Sequence, residues 1–242
     1  MSRLLITGAS SGIGEAIARR MAPTHALILH GRDTDRLRLL QESLPDPERH
    51  LLWTQDLAQP GEITQTLSAL LRSDDRGVSR FVHCAGEFKP ISIAASDPLS
   101  VKHQFQVNYF SAAAMIPILL DTSINPCPLQ AVVLLSSIAT RVGARGYSVY
   151  AATKGALGAL ASSLALQIAP TRINSILPGG VRTPGTAFLY EAMGEAAVDS
   201  GYPLGPGSVD DIASLAEFLV SDRARWMTGQ SITIDGGKTV GR

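Results

Sequence analysis

Metal ligands are scarce in this sequence: 242 residues contain two cysteines and five histidines. Cys84 and Cys127 sit in or beside apolar runs with no partner at metal-ligand spacing, and no HxxxH or HExxH pattern occurs. Neither a zinc site nor a disulfide is expected. Excess charge is missing too, because 21 basic and 21 acidic side chains cancel. That balance excludes the basic footprint of a nucleic-acid binder and a polybasic membrane anchor. A small molecule is the expected partner, with no nucleic acid and no membrane. The opening MSRLLITGASSG lacks the long apolar region of a secretory signal, and no stretch approaches 18 uninterrupted apolar residues. A cytoplasmic location is expected. No repeat, low-complexity tract or Pro/Ser linker divides the chain, and an α/β chain of this length is routinely one domain, so residues 1–242 are read as a single domain.

What the sequence does hold is alternation. Short apolar runs at Arg3 to Thr7, Ala26 to His30, His50 to Thr54, Arg80 to Cys84, Ala131 to Ser136, Thr171 to Leu177 and Ser231 to Ile234 read as strands. Between them, segments starting near Gly12, Asp33, Pro60, Ser96, Ser148 and Ser208 carry apolar residues at helical spacing. This pattern generates an α/β, Rossmann-type, doubly wound sheet of seven parallel strands flanked by helices. From Pro178 to Gly207 the chain is rich in glycine and proline around a short helical stretch at Ala187 to Ala197. Such a connection at strand ends reads as a substrate lid, bounded here at 183–207, or as plain spacer.

The first strand runs into Thr7-Gly8-Ala9-Ser10-Ser11-Gly12-Ile13-Gly14 and then a helix. Glycines permit positive φ and let backbone N–H groups approach a pyrophosphate at the positive end of the helix dipole. The spacing Thr-Gly-x-x-x-Gly-x-Gly differs from the commoner G-x-G-x-x-G, and it resembles the short-chain dehydrogenase/reductase family. At the end of the second strand, His30-Gly31-Arg32 has glycine where members using NAD tend to carry aspartate, followed by arginine. Arg32 either forks onto the 2′-phosphate of NADP(H) or is a solvated neighbour of Asp33, with Asp33 or Thr34 capping the next helix. Asp56-Leu57 looks like the family's adenine-contacting pair, although Asp56 also suits an ordinary turn. His83-Cys84-Ala85-Gly86 stands where the family has Asn-Asn-Ala-Gly. Ala85 and Gly86 match; both carboxamides are replaced, so hydrogen bonding at this strand end has to be supplied otherwise, in part by His83.

The other end of the sheet carries the second set of motifs. Ser137 closes the fifth strand, and thirteen residues later Tyr150-Ala-Ala-Thr-Lys154 places a phenol and an ammonium four apart on one helix face. An ammonium beside a phenol favours the phenolate and is expected to lower its pKa from about 10. Tyr and Lys at this spacing are also common surface neighbours; Ser137 at the family's spacing, together with Asn108, gives the pair its meaning. The resemblance implies that Ser137 polarises the substrate oxygen, Tyr150 transfers the proton, Lys154 tunes Tyr150 and binds the nicotinamide ribose, and Asn108 carries a proton relay through water. For Asn108 the alternative is a polar residue kinking a long helix from Ser96 to Asp121. Pro178-Gly179-Gly180-Val181-Arg182-Thr183 resembles the segment that contacts the nicotinamide amide. Resemblance thus covers the whole chain and is closest to bacterial 3-oxoacyl-carrier-protein reductases. It implies NADPH-dependent reduction of a carbonyl to a secondary alcohol, a 3-oxoacyl thioester being the first-ranked substrate and a sugar, steroid or small ketone the alternatives. A non-catalytic NADP-binding protein is the rival from another class. Gly205 departs from the arginine of many bacterial reductases. The apolar surface of the Ser148 to Ala169 helix extends beyond one stripe, so a homo-oligomer, by resemblance a tetramer, is expected.

Overall fold

Each apolar run becomes a parallel strand in the computed structural model, which describes residues 2–195, 198 and 200–240. The strands are β1 (Arg3–Thr7), β2 (Ala26–Gly31), β3 (Leu51–Thr54), β4 (Val78–His83), β5 (Ala131–Leu135), β6 (Arg172–Pro178) and β7 (Ser231–Ile234). They form one sheet in the order β3-β2-β1-β4-β5-β6-β7. The helices are α1 (Gly12–Met21), α2 (Thr34–Ser43), α3 (Pro60–Ser73), α4 (Pro98–Phe105), α5 (Ser111–Leu120), α6 (Ser148–Gln167), α7 (Ala187–Met193) and α8 (Val209–Val220). Side chains alternate across the pleat. Leu4 and Ile6 of β1 pack with Ile17 of α1 and Leu219 of α8, whereas Leu5 faces Leu67 of α3 and Leu157 of α6. Both faces are therefore covered, which is why these strands read as continuous apolar runs. Strand order reverses at β1, which pairs with β2 on one side and β4 on the other, so a crevice opens beyond the carboxyl ends of β1 and β4.

Strand ends differ from the sequence reading by at most one residue except at the start of β4, and one expected helix is broken. β4 begins at Val78 rather than Arg80, because the buried Asn125 carboxamide accepts from the Val78 N–H (2.7 Å) and donates to its carbonyl (2.8 Å). That support comes from a distant loop and leaves no local signature. The long helix expected from Ser96 to Asp121 is broken into α4 and α5 by a π-helical turn, Gln106–Phe110, in which the Ser111 N–H reaches back to the Gln106 carbonyl. Asn108 sits at its centre, as a kinking residue would, and such turns recur at functional sites. In the lid, α7 ends at Met193; Ala196 and Ala197 of the expected helical stretch lie outside the described residues. Among the described residues α6 is the one helix long and apolar enough to cross a membrane by length and composition. It packs along β6 as a core helix does.

Candidate active site

The crevice between β1 and β4 is lined by several of the motifs. Gly8 and the Ser10 to Gly14 turn form one wall, Arg32, Asp56 and Leu57 a second, and Ala85, Gly86 and Thr183 the rest. Gly8 has a φ of +68°, and a Cβ on Gly14 would stand 2.1 Å from the Gly8 carbonyl oxygen. Only glycine allows the turn to fold this tightly onto α1. Ser11, the N-cap of α1, makes no side-chain hydrogen bond to the first turn. The helix's opening N–H groups are left to an anion in the cleft, so the cradle fits a dinucleotide pyrophosphate. A Cβ on Gly31 would meet the Ser10 hydroxyl oxygen at 3.0 Å and Leu37 Cδ2 at 3.2 Å, so a side chain here would need Ser10 and Leu37 to shift, and the position carries no carboxylate for a ribose 2′-hydroxyl. Arg32 makes no hydrogen bond or ion pair among the described residues, because Asp33 is taken: it caps α2 through the Arg36 N–H (3.1 Å) and pairs with the Arg36 guanidinium (3.4 Å). The capping alternative thus holds for Asp33 and leaves Arg32 free at the cleft rim. Asp56 accepts from the Ala58 N–H at 3.0 Å, the turn contact considered above, while also facing the cleft.

Four further expected contact residues sit at or just beyond strand ends. Thr7 is fully buried beneath the turn. Pro178 and Gly179 are tied to β7, Gly179 donating to the Ile234 carbonyl at 2.9 Å. Val181 is buried and bridges to Gly207.

The missing asparagines are answered by histidine. His83 is buried, and burial pushes it down to about 3, so it is neutral. Ser111 gives its proton to the Val107 carbonyl (2.6 Å), so its 3.5 Å contact with His83 Nε2 requires the proton on Nε2. Nδ1 is then bare and accepts from the Thr7 hydroxyl at 2.9 Å, while the Thr7 oxygen accepts from the Ala85 N–H at 3.2 Å. One imidazole therefore joins β1, the Ala85-Gly86 strand end and the π turn. His30 acts in parallel. Burial lowers it to about 4; its Nε2 donates to the Gln55 carbonyl (3.1 Å) and its Nδ1 accepts from the Gly8 N–H (3.4 Å). Cys84 only packs, with burial pushing its thiol up to about 12.

At the reacting end, Ser137 caps the short turn after β5, its oxygen accepting from the Ala139 N–H at 3.1 Å. Tyr150 and Lys154 lie one turn apart on α6. Lys154 is buried, its Nζ donates to the Leu135 carbonyl (2.8 Å), and it lies 5.9 Å from the centre of the Tyr150 ring. A Cβ on Gly86 would come within 2.9 Å of this ammonium, so a larger residue here would push the end of the lysine aside. One expectation is corrected here. Tyr150 is not lowered: burial pushes it up to about 12, against the downward pull of a hydrogen bond with Ser137, and the Lys154 ammonium is turned toward the Leu135 carbonyl. Burial in turn brings Lys154 down to about 8. The Asn108 carboxamide is engaged: Oδ1 accepts from the Glu87 N–H (2.6 Å), and Nδ2 donates to the Glu87 carbonyl (3.0 Å) and the Thr153 hydroxyl (2.9 Å). Its side chain locks the β4 loop to α6.

The sequence reading passed over two participants. Thr153, inside the Tyr150 to Lys154 motif, donates to the Tyr150 carbonyl at 2.7 Å and receives Asn108. Phe88, two residues beyond Gly86, lies edge-on to Tyr147 (5.0 Å between centroids) and to Tyr150 (4.8 Å), and stacks on Phe188 of α7 at 5.7 Å. Its place just beyond a strand end at the crevice was the available signal.

A family model described as enoyl-(acyl carrier protein) reductase matches residues 8–239. The chain belongs to the short-chain dehydrogenase/reductase family. Among relatives in this family, a glucose 1-dehydrogenase of Gluconobacter oxydans is 28% identical, covering 98% of this chain and 92% of that one. A 3-oxoacyl-[acyl-carrier-protein] reductase of Rickettsia typhi is 30% identical over 96% of this chain and 95% of its own. A crystal structure from Brucella melitensis, named as a glucose/ribitol dehydrogenase of the family, superposes with a TM-score of 0.87 at 29% identity, covering 98% of this chain and 96% of that one. The fold and the oxidoreductase class follow from this membership.

Proposed function

We propose that this protein is an NADPH-dependent reductase that converts a carbonyl into a secondary alcohol, with Tyr150 as proton donor. The observation that carries the reading is that Ser137 meets Tyr150 while buried Lys154, one turn along α6, lies against Gly86, which lines a cleft whose Gly-rich turn fits a pyrophosphate. Arg32 would hold the 2′-phosphate, the α1 N-terminus the pyrophosphate, and Lys154 the nicotinamide ribose. The bound dihydronicotinamide supplies the hydride for the carbonyl carbon. Ser137 orients the carbonyl oxygen by hydrogen bonding, and Tyr150 passes it the phenolic proton as negative charge develops. A phenol pushed up to about 12 is fully protonated at neutral pH and so is poised to donate. A 3-oxoacyl thioester heads the substrate classes, followed by small ketones and sugars. Reduction with NADPH deuterated at the transferable C4 position tests the reading: deuterium should appear on the carbinol carbon, and an unlabelled alcohol would refute it.

We also propose a homo-oligomer, by family resemblance a tetramer. On α6, Leu166 is 89% exposed, and Phe110 beside α5 is 46% exposed; apolar surface on two neighbouring helices calls for a second copy. Light scattering at micromolar concentration should give a multiple of 25.6 kDa, and a monomer mass would refute it.

A further inference from the structure

We infer that the substrate carries its carbonyl next to an apolar flank, a ring or an acyl chain, and that Phe88 selects it. The inference rests on the reductase reading above. The chain has six phenylalanines and five tyrosines, and two of each meet at the proton donor: Phe88 touches Tyr150, Tyr147 and Phe188 through ring contacts of 4.8, 5.0 and 5.7 Å. These rings come from three separate elements: the loop after β4, the start of α6, and α7 in the lid. A wall assembled from three elements beside the reacting tyrosine is a surface against which a substrate is placed. Phe188 remains 40% exposed, so the wall still has apolar area for a ligand to cover.

The four rings and the neighbouring Ser137 carry three hydroxyls, on Ser137, Tyr147 and Tyr150. Those of Ser137 and Tyr150 are committed to the carbonyl oxygen, which leaves the hydroxyl of Tyr147. A polyhydroxylated substrate laid against these rings would bury several hydroxyls with one partner among them, and each unpaired hydroxyl costs binding. Of the neighbouring charges, Arg182 pairs with Glu195, and Glu87 lies 3.4 Å from His103 with its Oε2 in no hydrogen bond. An apolar ring or chain meets the wall without such losses, and a flat ring can also adopt the edge-on and offset-stacked contacts that Phe88 already makes.

The test compares NADPH-dependent turnover of cyclohexanone and acetophenone, of an acetoacetyl thioester, and of the polyol ketone fructose. At least one of the apolar-flanked carbonyls should exceed fructose in kcat/KM by about 100-fold. Comparing the ketones with the thioester separates a free substrate from a thioester-bound one. Phe88→Ala should raise KM for the preferred substrate about tenfold with a smaller change in kcat, and Phe88→Leu should recover most of it. Calorimetric binding of 1-phenylethanol should weaken in parallel, with NADPH affinity unchanged in both variants. Fructose turned over as well as the apolar carbonyls, or Phe88→Ala leaving KM and alcohol binding unchanged, would overturn the inference while the reductase reading stands. Failure to turn over any of the four would remove both.

Discussion

The nucleotide end and the reacting end of this crevice are built from different materials. The first is mostly backbone: the turn from Gly8 to Gly14 folds back until a single Cβ on Gly14 would strike a carbonyl oxygen at 2.1 Å. The second is side chains held by other side chains, as with Asn108 between Glu87 and Thr153. A backbone site fails by steric exclusion, and a side-chain site fails by lost chemistry. Substitutions should therefore separate cofactor binding from turnover.

The sharpest separation should come from Tyr150→Phe, which keeps the ring against Phe88 and removes the proton. We expect kcat to fall by roughly two to four decades, with NADPH affinity at the level of the parent; near-parental turnover would sink the proton-donor role. Lys154→Met should blur the separation, because the lysine stands between the two ends: turnover and NADPH affinity should both fall, and loss of turnover alone would show that Lys154 does not hold the ribose. Arg32→Ala tests the nucleotide end by itself. It should weaken NADPH binding by about 1.5–3 kcal/mol, the worth of a charge-assisted hydrogen bond, and leave NADH binding and kcat nearly unchanged. Equal losses for the two cofactors in a titration would mean that Arg32 does not discriminate.

The same contrast explains what could be read from the sequence. Seven strands, the Gly-rich turn and the Ser137, Tyr150 and Lys154 set were legible because each is written locally, in apolar runs, in glycine spacing, or in an i, i+4 pair behind a strand end. Three things were not. The support that starts β4 at Val78 comes from Asn125, 47 residues away. The direction of the Tyr150 shift depends on how deeply the phenol is packed, and burial outweighs a lysine whose proton points at Leu135. Phe88 becomes notable only when α7 and α6 bring Phe188 and Tyr147 to it.

The two ends meet at a pair of neutral imidazoles, and acid should pull them apart. His30 accepts from Gly8 on the nucleotide side, and His83 accepts from Thr7 while reaching the π turn that carries Asn108. Both are held below their ordinary value of 6.5 by burial, to about 4 and about 3. Protons therefore bind the unfolded chain before they bind the native one. Above pH 6.5 neither histidine makes stability depend on pH; as pH falls through 6.5 toward 4, each subtracts about 1.4 kcal/mol per pH unit. Acidic residues also titrate near the lower limit, so a single acid denaturation curve does not isolate the pair. Comparing the parent with His83→Asn does, since asparagine does not titrate and its carboxamide can still bond Thr7. Urea unfolding at pH 7, 6 and 5 should show the variant losing stability less steeply than the parent, by about 1.4 kcal/mol per unit below pH 6.5. Identical slopes would mean that His83 takes up its proton in the native state, and the neutral tautomer assigned from Ser111 and Thr7 would be wrong.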